Sequence, residues 1–262
     1  MEQEALELEL QEIMSALDDK RLSALVNNLS AADIQQYKTA LSDAWYWIYE
    51  FWFHERRDAK MQNGEDAFFN YLLYLLTEAE KINTPVIYYN ERSQCYQMWG
   101  RQKTQKEEEL VYIEKAIEEI SKGLLAEPSS CKLNSRMIDL FLTRAYLIKQ
   151  VKFNDEQLTT LLGYFEKVLA QFSGEEWVSL LGYCFQILEF TAEEKEHWHT
   201  VFINRFSAAI QIVTEKELDT YPGWSEQLYR ITSFYHATMS PDYQQKIVLQ
   251  FWPILKHLYG KA

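Results

Sequence analysis

Two stretches of the sequence place histidines and carboxylates at helical spacing. The first, His54-Glu55-Arg56-Arg57-Asp58, opens like the zinc-protease pattern H-E-x-x-H but has Asp at the second ligand position. Residues i and i+4 share a helix face, so His54 and Asp58 could hold one metal ion with Glu55 as general base. No third ligand is spaced to join them. The competing reading, a solvated helix end whose Arg56 and Arg57 complement the C-terminal dipole, needs nothing further and is preferred. The second stretch, Glu194-Lys195-Glu196-His197-Trp198-His199, contains E-x-x-H twice. Di-iron bundles use that spacing but take one copy from each of two helices, and here both copies overlap on one. His197 and His199 are two apart and point to nearly opposite sides, so they cannot chelate one ion.

Other chemical signatures are missing from the sequence. It contains no G-x-x-x-x-G-K-[ST], no G-x-G-x-x-G and no G-x-S-x-G. Cys95, Cys131 and Cys184 are odd in number, far apart and in no C-x-x-C arrangement, which predicts reduced core thiols rather than a disulfide scaffold or structural zinc. No catalytic residue, metal or cofactor is assigned, and the expectation is a protein that is not an enzyme.

The remaining chemistry is that of a surface. The N-terminus carries Glu2, Glu4, Glu7, Glu9 and Glu12, and the segment after Thr104 carries Glu107, Glu108, Glu109, Glu114, Glu118 and Glu119. Such runs are either solvated faces or fields that steer a basic partner. Tyr and Trp are the residues enriched at binding hot spots. The candidate partner contacts are therefore Glu107, Glu108, Glu114 and Glu118, with Tyr88, Tyr89, Tyr96 and Trp99 as aromatic neighbours. For any one of these aromatics, core packing is the competing fate.

Charge narrows the partner. Among 262 residues, 39 Asp+Glu stand against 26 Lys+Arg, a formal net charge of −13. A nucleic-acid binder needs bases to displace counterions from phosphates, so nucleic acid is excluded as a partner, and anionic membrane surfaces are disfavoured for the same reason. The start, MEQEALELEL, lacks the basic n-region of a secretory signal, and no uncharged apolar run reaches the roughly 18 residues a transmembrane helix needs. The expected setting is cytoplasmic. With 8 Trp, 17 Tyr and 14 Phe the chain has the apolar mass to fold despite its charge.

Helices must position these residues, because 8 Gly and 5 Pro are too few for the turns of a many-stranded β protein. Capping boxes are predicted at Thr104/Glu107, Ser173/Glu176 and Thr191/Glu194, and a related one at Asn154/Gln157. Thr84-Pro85 and Ser240-Pro241 read as helix starts with proline at the first helical position. Periodicity adds starts near residues 2, 31, 64, 131 and 224. Leu110, Ile113, Ile117, Ile120 and Leu124 form one apolar stripe, as do Ile247, Phe251, Ile254 and Leu258, with Pro253 breaking the latter pattern. Residues 34–53 and 68–82 are apolar on two faces and are predicted as the central helices. Short connections and the absence of a Pro/Ser/Gly linker predict a single all-α domain over 1–262 with about ten to eleven helices. In it, the acidic helices of 1–30 are peripheral and residues 214–224 form the longest irregular stretch.

Residues 100–128 resemble the second half of a tetratricopeptide repeat. In that family a small residue sits at the helix crossing, a bulky one follows four later, another small one three after that, and a proline closes the repeat. Ala116, Ile120, Gly123 and Pro128 match this spacing. Trp99-Gly100 resembles the family's aromatic-plus-Gly pair but lies four residues earlier, which implies a longer connection. The resemblance implies an α-solenoid of antiparallel helical hairpins that binds a partner along a concave surface.

The function expected from these observations is non-enzymatic binding of another, basic protein. One version is an acidic inhibitor or immunity protein that neutralises a nucleic-acid-cleaving toxin by presenting carboxylates where the toxin accepts phosphates. The rival is an α-helical enzyme or a small-ligand or metal-binding protein, with the aromatic segment 45–53 lining a pocket and His54 at its mouth.

Overall fold

The computed structural model describes residues 3–55, 65–171 and 177–210, together with the isolated helical positions 242, 245 and 249. Regular structure among the described residues is helical, with eleven α-helices and no strand, so the fold class is all-α as the glycine and proline counts predict. No sequence linker marks a boundary, yet the chain divides into two compact units, Met1–Ala126 and Glu127–Ala262, each with its own core. The division falls at a short turn in which the Ser130 N–H donates to the Glu127 carbonyl. No helix among the described residues is long and apolar enough to cross a membrane.

The first unit contains α1 (Gln3–Ala16), α2 (Asp19–Asn28), α3 (Ala31–Gln36), α4 (Lys38–Glu50), α5 (Glu65–Ile82), α6 (Ile87–Arg101) and α7 (Lys106–Ala126). Helix α1 buries Leu6, Leu10 and Ile13 and leaves most of its glutamates outside. It ends in a Schellman-type turn, with the Asp18 N–H on the Ile13 carbonyl and Leu17 at φ 54°. Arg21 then bridges Glu9 and Glu12, tying α2 back to α1. Ser30 and Asp33 form a capping box that starts α3, a signal readable in the sequence as S-x-x-D.

The long aromatic helix predicted over 34–53 is interrupted. Tyr37 leaves helical geometry at φ −107° and ψ 16°, so α3 and α4 are separate, and α4 runs on into a π turn over Phe51–Glu55. Its two apolar faces are real. Leu41, Ala44, Trp45 and Ile48 are buried on one, where Trp45 meets Tyr74 of α5 edge-on. On the other, Phe53, Tyr49 and Tyr46 stack in succession at 5.5 and 5.7 Å, and Tyr46 stacks on Tyr88 of α6 at 5.5 Å. Helix α5 buries Phe68, Phe69, Leu72, Leu75, Leu76 and Ala79, which also makes it central.

Helix α6 departs from what its sequence advertises. Its polar residues Asn90, Glu91, Ser93 and Gln97 are buried, as are Tyr88, Cys95, Trp99 and Gly100. Burial of a carboxylate is tolerable only with donors around it. Glu91 accepts from the Tyr49 hydroxyl at 3.3 Å and from the Asn90 amide at 3.0 Å, while Ser42 and Tyr88 share a hydroxyl hydrogen bond. At the end of α6, Trp99 stacks on Phe69 of α5 at 5.6 Å, lies 4.6 Å from the Tyr112 ring of α7, and donates its indole N–H to Asp66. Gly100 follows at the closest approach of α6 and α7. A Cβ there would lie 3.0 Å from the Tyr112 Cβ and 3.2 Å from the Glu109 carbonyl oxygen. These contacts join the end of α6 to the starts of α5 and α7, so the three helices run antiparallel in succession.

The second unit contains α8 (Cys131–Leu147), α9 (Asp155–Ala170), α10 (Trp177–Glu189), a 3-10 turn at Glu193–Lys195 and α11 (Glu196–Ile210). Its core gathers Ile138, Leu142, Leu158, Leu161, Phe165, Cys184, Leu188 and Phe202. The capping box predicted at Asn154 and Gln157 forms. The Phe153 N–H donates to the Phe190 carbonyl at 2.7 Å, closing the loop between α8 and α9 onto the end of α10. Asp155 accepts both the Trp198 indole N–H and the Lys195 ammonium.

Three predicted caps fail. Thr84 and Thr191 each turn their hydroxyl back to the carbonyl four residues earlier, Glu80 and Ile187, and so finish one helix instead of starting the next. Helix α7 begins at Lys106 with the Glu109 N–H on the Gln105 carbonyl, leaving Thr104 outside it. The starts at Ser173, near 224 and at Ser240, the stretch 214–224 and Pro253 lie outside the described residues.

Two helical glycines, one inside α9 and one in the last turn of α6, separate packing from propensity. Gly163 in α9 has nothing within 4 Å of a prospective Cβ, so Gly163→Ala is expected to stabilise the fold by about 0.5–1 kcal/mol. Gly100→Ala meets backbone and Cβ atoms that cannot swing away, and overpacking of about 1–3 kcal/mol outweighs the same propensity gain. Denaturant midpoints of the two variants, moving in opposite directions from the wild type, are the check.

Candidate functional site

The sequence-predicted surface residues separate into two groups once α6 and α7 pair. Helix α7 turns Ile113, Ala116, Ile120 and Gly123 inward, which leaves Glu107, Glu108, Glu114 and Glu118 exposed on its outer side. Glu119 goes the other way. It is buried, 2.8 Å from the Lys122 ammonium and 4.0 Å from Arg92, which also pairs with Glu80. Lys122 reaches Glu118 as well, at 3.0 Å.

Of the aromatic candidates, Tyr88 and Trp99 are core residues. They are 2% and 6% exposed, the first between α4 and α6 and the second wedged between Phe69 and Tyr112, so neither offers a surface to a partner. Their position on the inward side of a helix packed on α4, α5 and α7 is the reason, and the polar composition of α6 concealed it. Tyr89 and Tyr96 are half-buried, and the Lys115 ammonium lies 5.8 Å from the Tyr96 ring and 4.9 Å from the Tyr112 ring.

Charge is distributed unequally between the units. Of the 39 acidic residues 23 lie in residues 1–126, against 13 of the 26 basic ones, so this unit carries ten of the thirteen net negative charges.

The aromatic segment 45–53 does not line a pocket as a whole. Trp45, Ile48, Tyr49 and Phe53 are core. Instead Trp47, Glu50, Phe51 and His54 line an open groove of about 310 Å³. Their spacing of three, one and three residues puts them on one helical face, a pattern legible in the sequence but masked by the surrounding aromatics. Arg56, Arg57 and Asp58 lie outside the described residues. Among the described residues, no group of three or more His, Cys, Asp and Glu side chains could hold a metal ion.

The second unit has a groove of about 410 Å³ lined by Tyr146, Lys149, Gln150, Val151, Lys152, Glu189 and Phe190. Its residues converge from α8, the following loop and the end of α10, which no local sequence pattern announces. Burial lowers the Lys152 pKa and raises that of Glu189, whose carboxylate accepts the Tyr146 hydroxyl at 2.9 Å. The Lys152 ammonium donates to the Glu189 carbonyl at 2.7 Å and the Thr191 carbonyl at 3.3 Å. These bonds satisfy carbonyls at the C-terminal end of α10, so structural capping accounts for this lysine.

The His/Glu run behaves as its spacing predicts. Glu194, Glu196 and His197 are exposed whereas His199 is buried. Burial pushes the His199 imidazole down to about 4, against an opposing hydrogen bond to the Leu188 backbone. Cys95 and Cys184 are buried thiols whose pKa values burial raises, and Cys131 is half-buried at the start of α8. Compared with family models, with curated proteins and with solved structures, the chain matches none.

A pH dependence follows from His199. Below about 6.5 the unfolded imidazole takes up a proton that the folded one refuses, so stability is complete above that pH and is lost as pH falls toward about 4. The loss over this window is of the order of 3 kcal/mol. His199→Gln, which cannot titrate, is expected to show a correspondingly flatter stability profile between pH 6.5 and 4 in denaturant titrations; parallel profiles would refute the assignment.

Proposed function

We propose that this chain is a non-enzymatic protein-binding protein whose acidic first unit docks a basic partner, as an inhibitor or immunity protein would. The observation that carries the reading is the outward set Glu107, Glu108, Glu114 and Glu118 on α7, in a unit holding ten of the thirteen net negative charges. Carboxylates on a rigid helix reproduce the charge of a phosphate backbone, which suits a nucleic-acid-cleaving toxin as the partner. Rim charges of this kind act mainly on encounter, because desolvation offsets much of their Coulomb gain once buried.

The helical-repeat reading belongs to the same proposal. Trp99-Gly100 at the α6/α7 contact and Ala116, Ile120 and Gly123 on the buried side of α7 support a tetratricopeptide-like hairpin. A cytoplasmic setting belongs to the proposal as well, and the three free thiols support it. The rival reading, a small-ligand or metal-binding protein, is favoured by one observation, the groove at His54. Stoichiometric zinc or iron in the purified protein would decide for it.

The acidic-docking reading makes a kinetic prediction. Affinity for the partner should fall about tenfold or more between low and physiological salt. Replacing Glu107, Glu108, Glu114 and Glu118 together by Gln should slow association far more than it speeds dissociation in stopped-flow or biosensor traces. A nanomolar complex indifferent to salt would overturn the proposal.

A further inference from the structure

We propose that the groove of Trp47, Glu50, Phe51 and His54 is a slot for an arginine side chain of a basic protein partner. Trp47 is 52% exposed, more than any other aromatic residue among the exposed large hydrophobics of the described chain. Tyr74 and Tyr146 come next, and both are accounted for: Tyr74 packs on the Trp45 ring, and the Tyr146 hydroxyl binds Glu189. The Trp47 indole has neither a ring contact nor a hydrogen bond with another described residue, and the core does not use it. An indole held in water on a rigid helix forfeits the burial that ordinarily stabilises it. It is also the side chain whose face best attracts a cation and the one most enriched at binding hot spots.

The neighbours of Trp47 define which cation. Glu50 lies three residues on along the same groove, and Phe51 supplies a second aromatic wall. A groove of about 310 Å³ is at the small end of ligand-sized clefts and suits one side chain rather than a peptide segment. A guanidinium is planar and weakly hydrated, so it stacks flat on an indole while forking to a carboxylate, whereas an ammonium is drawn to both groups only as a compact, strongly hydrated point charge. The surrounding unit, with ten of the thirteen net negative charges, complements it. This inference rests on the reading that the first unit docks a basic protein, and it supplies what charge alone does not, a preference for arginine over lysine.

Hexa-arginine and hexa-lysine peptides, titrated calorimetrically into the full chain, test it. The wild type should bind hexa-arginine more tightly than hexa-lysine. Trp47→Ala and Glu50→Gln should each weaken hexa-arginine about tenfold and abolish the preference, with the helical circular dichroism unchanged because both sites lie on the helix exterior. Equal affinities for the two peptides in the wild type, or hexa-arginine binding unaltered in both variants, would overturn the slot. If the four-Gln variant of α7 loses both peptides equally while the groove variants match the wild type, the slot fails and the acidic-docking reading stands. If the groove variants lose the arginine preference while the α7 variant binds both peptides as the wild type does, the slot stands and the α7 reading fails.

Discussion

The first unit depends on how closely α6 can approach α7. At Gly100 the missing side chain lets the backbone of α6 come within van der Waals reach of Glu109 and Tyr112. Beside it Trp99 stacks on Phe69 and meets the Tyr112 ring at a tilt, so the close contact of α6 and α7 adjoins the one between α6 and α5. With α7 held there, its apolar stripe is committed inward and its glutamates outward. The exposed carboxylates are thus a consequence of a steric fit in the interior.

A second constraint recurs in both units. Asp66, in the first turn of α5, accepts the Trp99 indole N–H and the Lys103 ammonium. Asp155, the first residue of α9, accepts the same two groups from Trp198 and Lys195. In each case a carboxylate at a helix N-terminus, favoured there by the dipole, accepts an indole N–H, buried at Trp99 and half-buried at Trp198. Each lock fixes the angle at which another part of the chain meets the start of a helix. The polar interior of α6 works alongside the lock of the first unit: Glu91, Asn90, Tyr49, Ser42 and Tyr88 have few alternative arrangements in which all are bonded, which favours one packing over others.

The function proposed here lives on the surface that these interior constraints leave over. In that proposal, charge brings a basic partner to the first unit from a distance, while the groove beside Trp47 distinguishes one kind of cation at contact. Long-range steering and short-range stacking are physically separable, since salt screens the first and barely touches the second.

Much of the fold was legible because it is local. The low glycine and proline counts excluded a sheet protein, periodicity identified α5 and, through Ile113 and Ile120, part of the inner stripe of α7, and Asn154-x-x-Gln157 capped the helix it predicted. Local signals failed where a side chain had two backbone partners within reach, as at Thr84 and Thr191, whose hydroxyls chose the preceding turn. The candidate site was less legible, because exposure is a property of neighbours. Tyr88 and Trp99 look like Tyr89 and Tyr96 in the sequence, and only the packing of α6 against α4, α5 and α7 buries the first two. Conversely, Trp47 sits among core aromatics and reads as one of them, until the face opposite Leu41, Ala44 and Ile48 is found to be uncovered. Composition and spacing determined that this chain is an acidic helical protein with aromatic centres. Which aromatics face the solvent, which glutamate turns inward, and that the chain condenses into two units were decided by tertiary packing, because burial depends on contacts between residues far apart in the sequence.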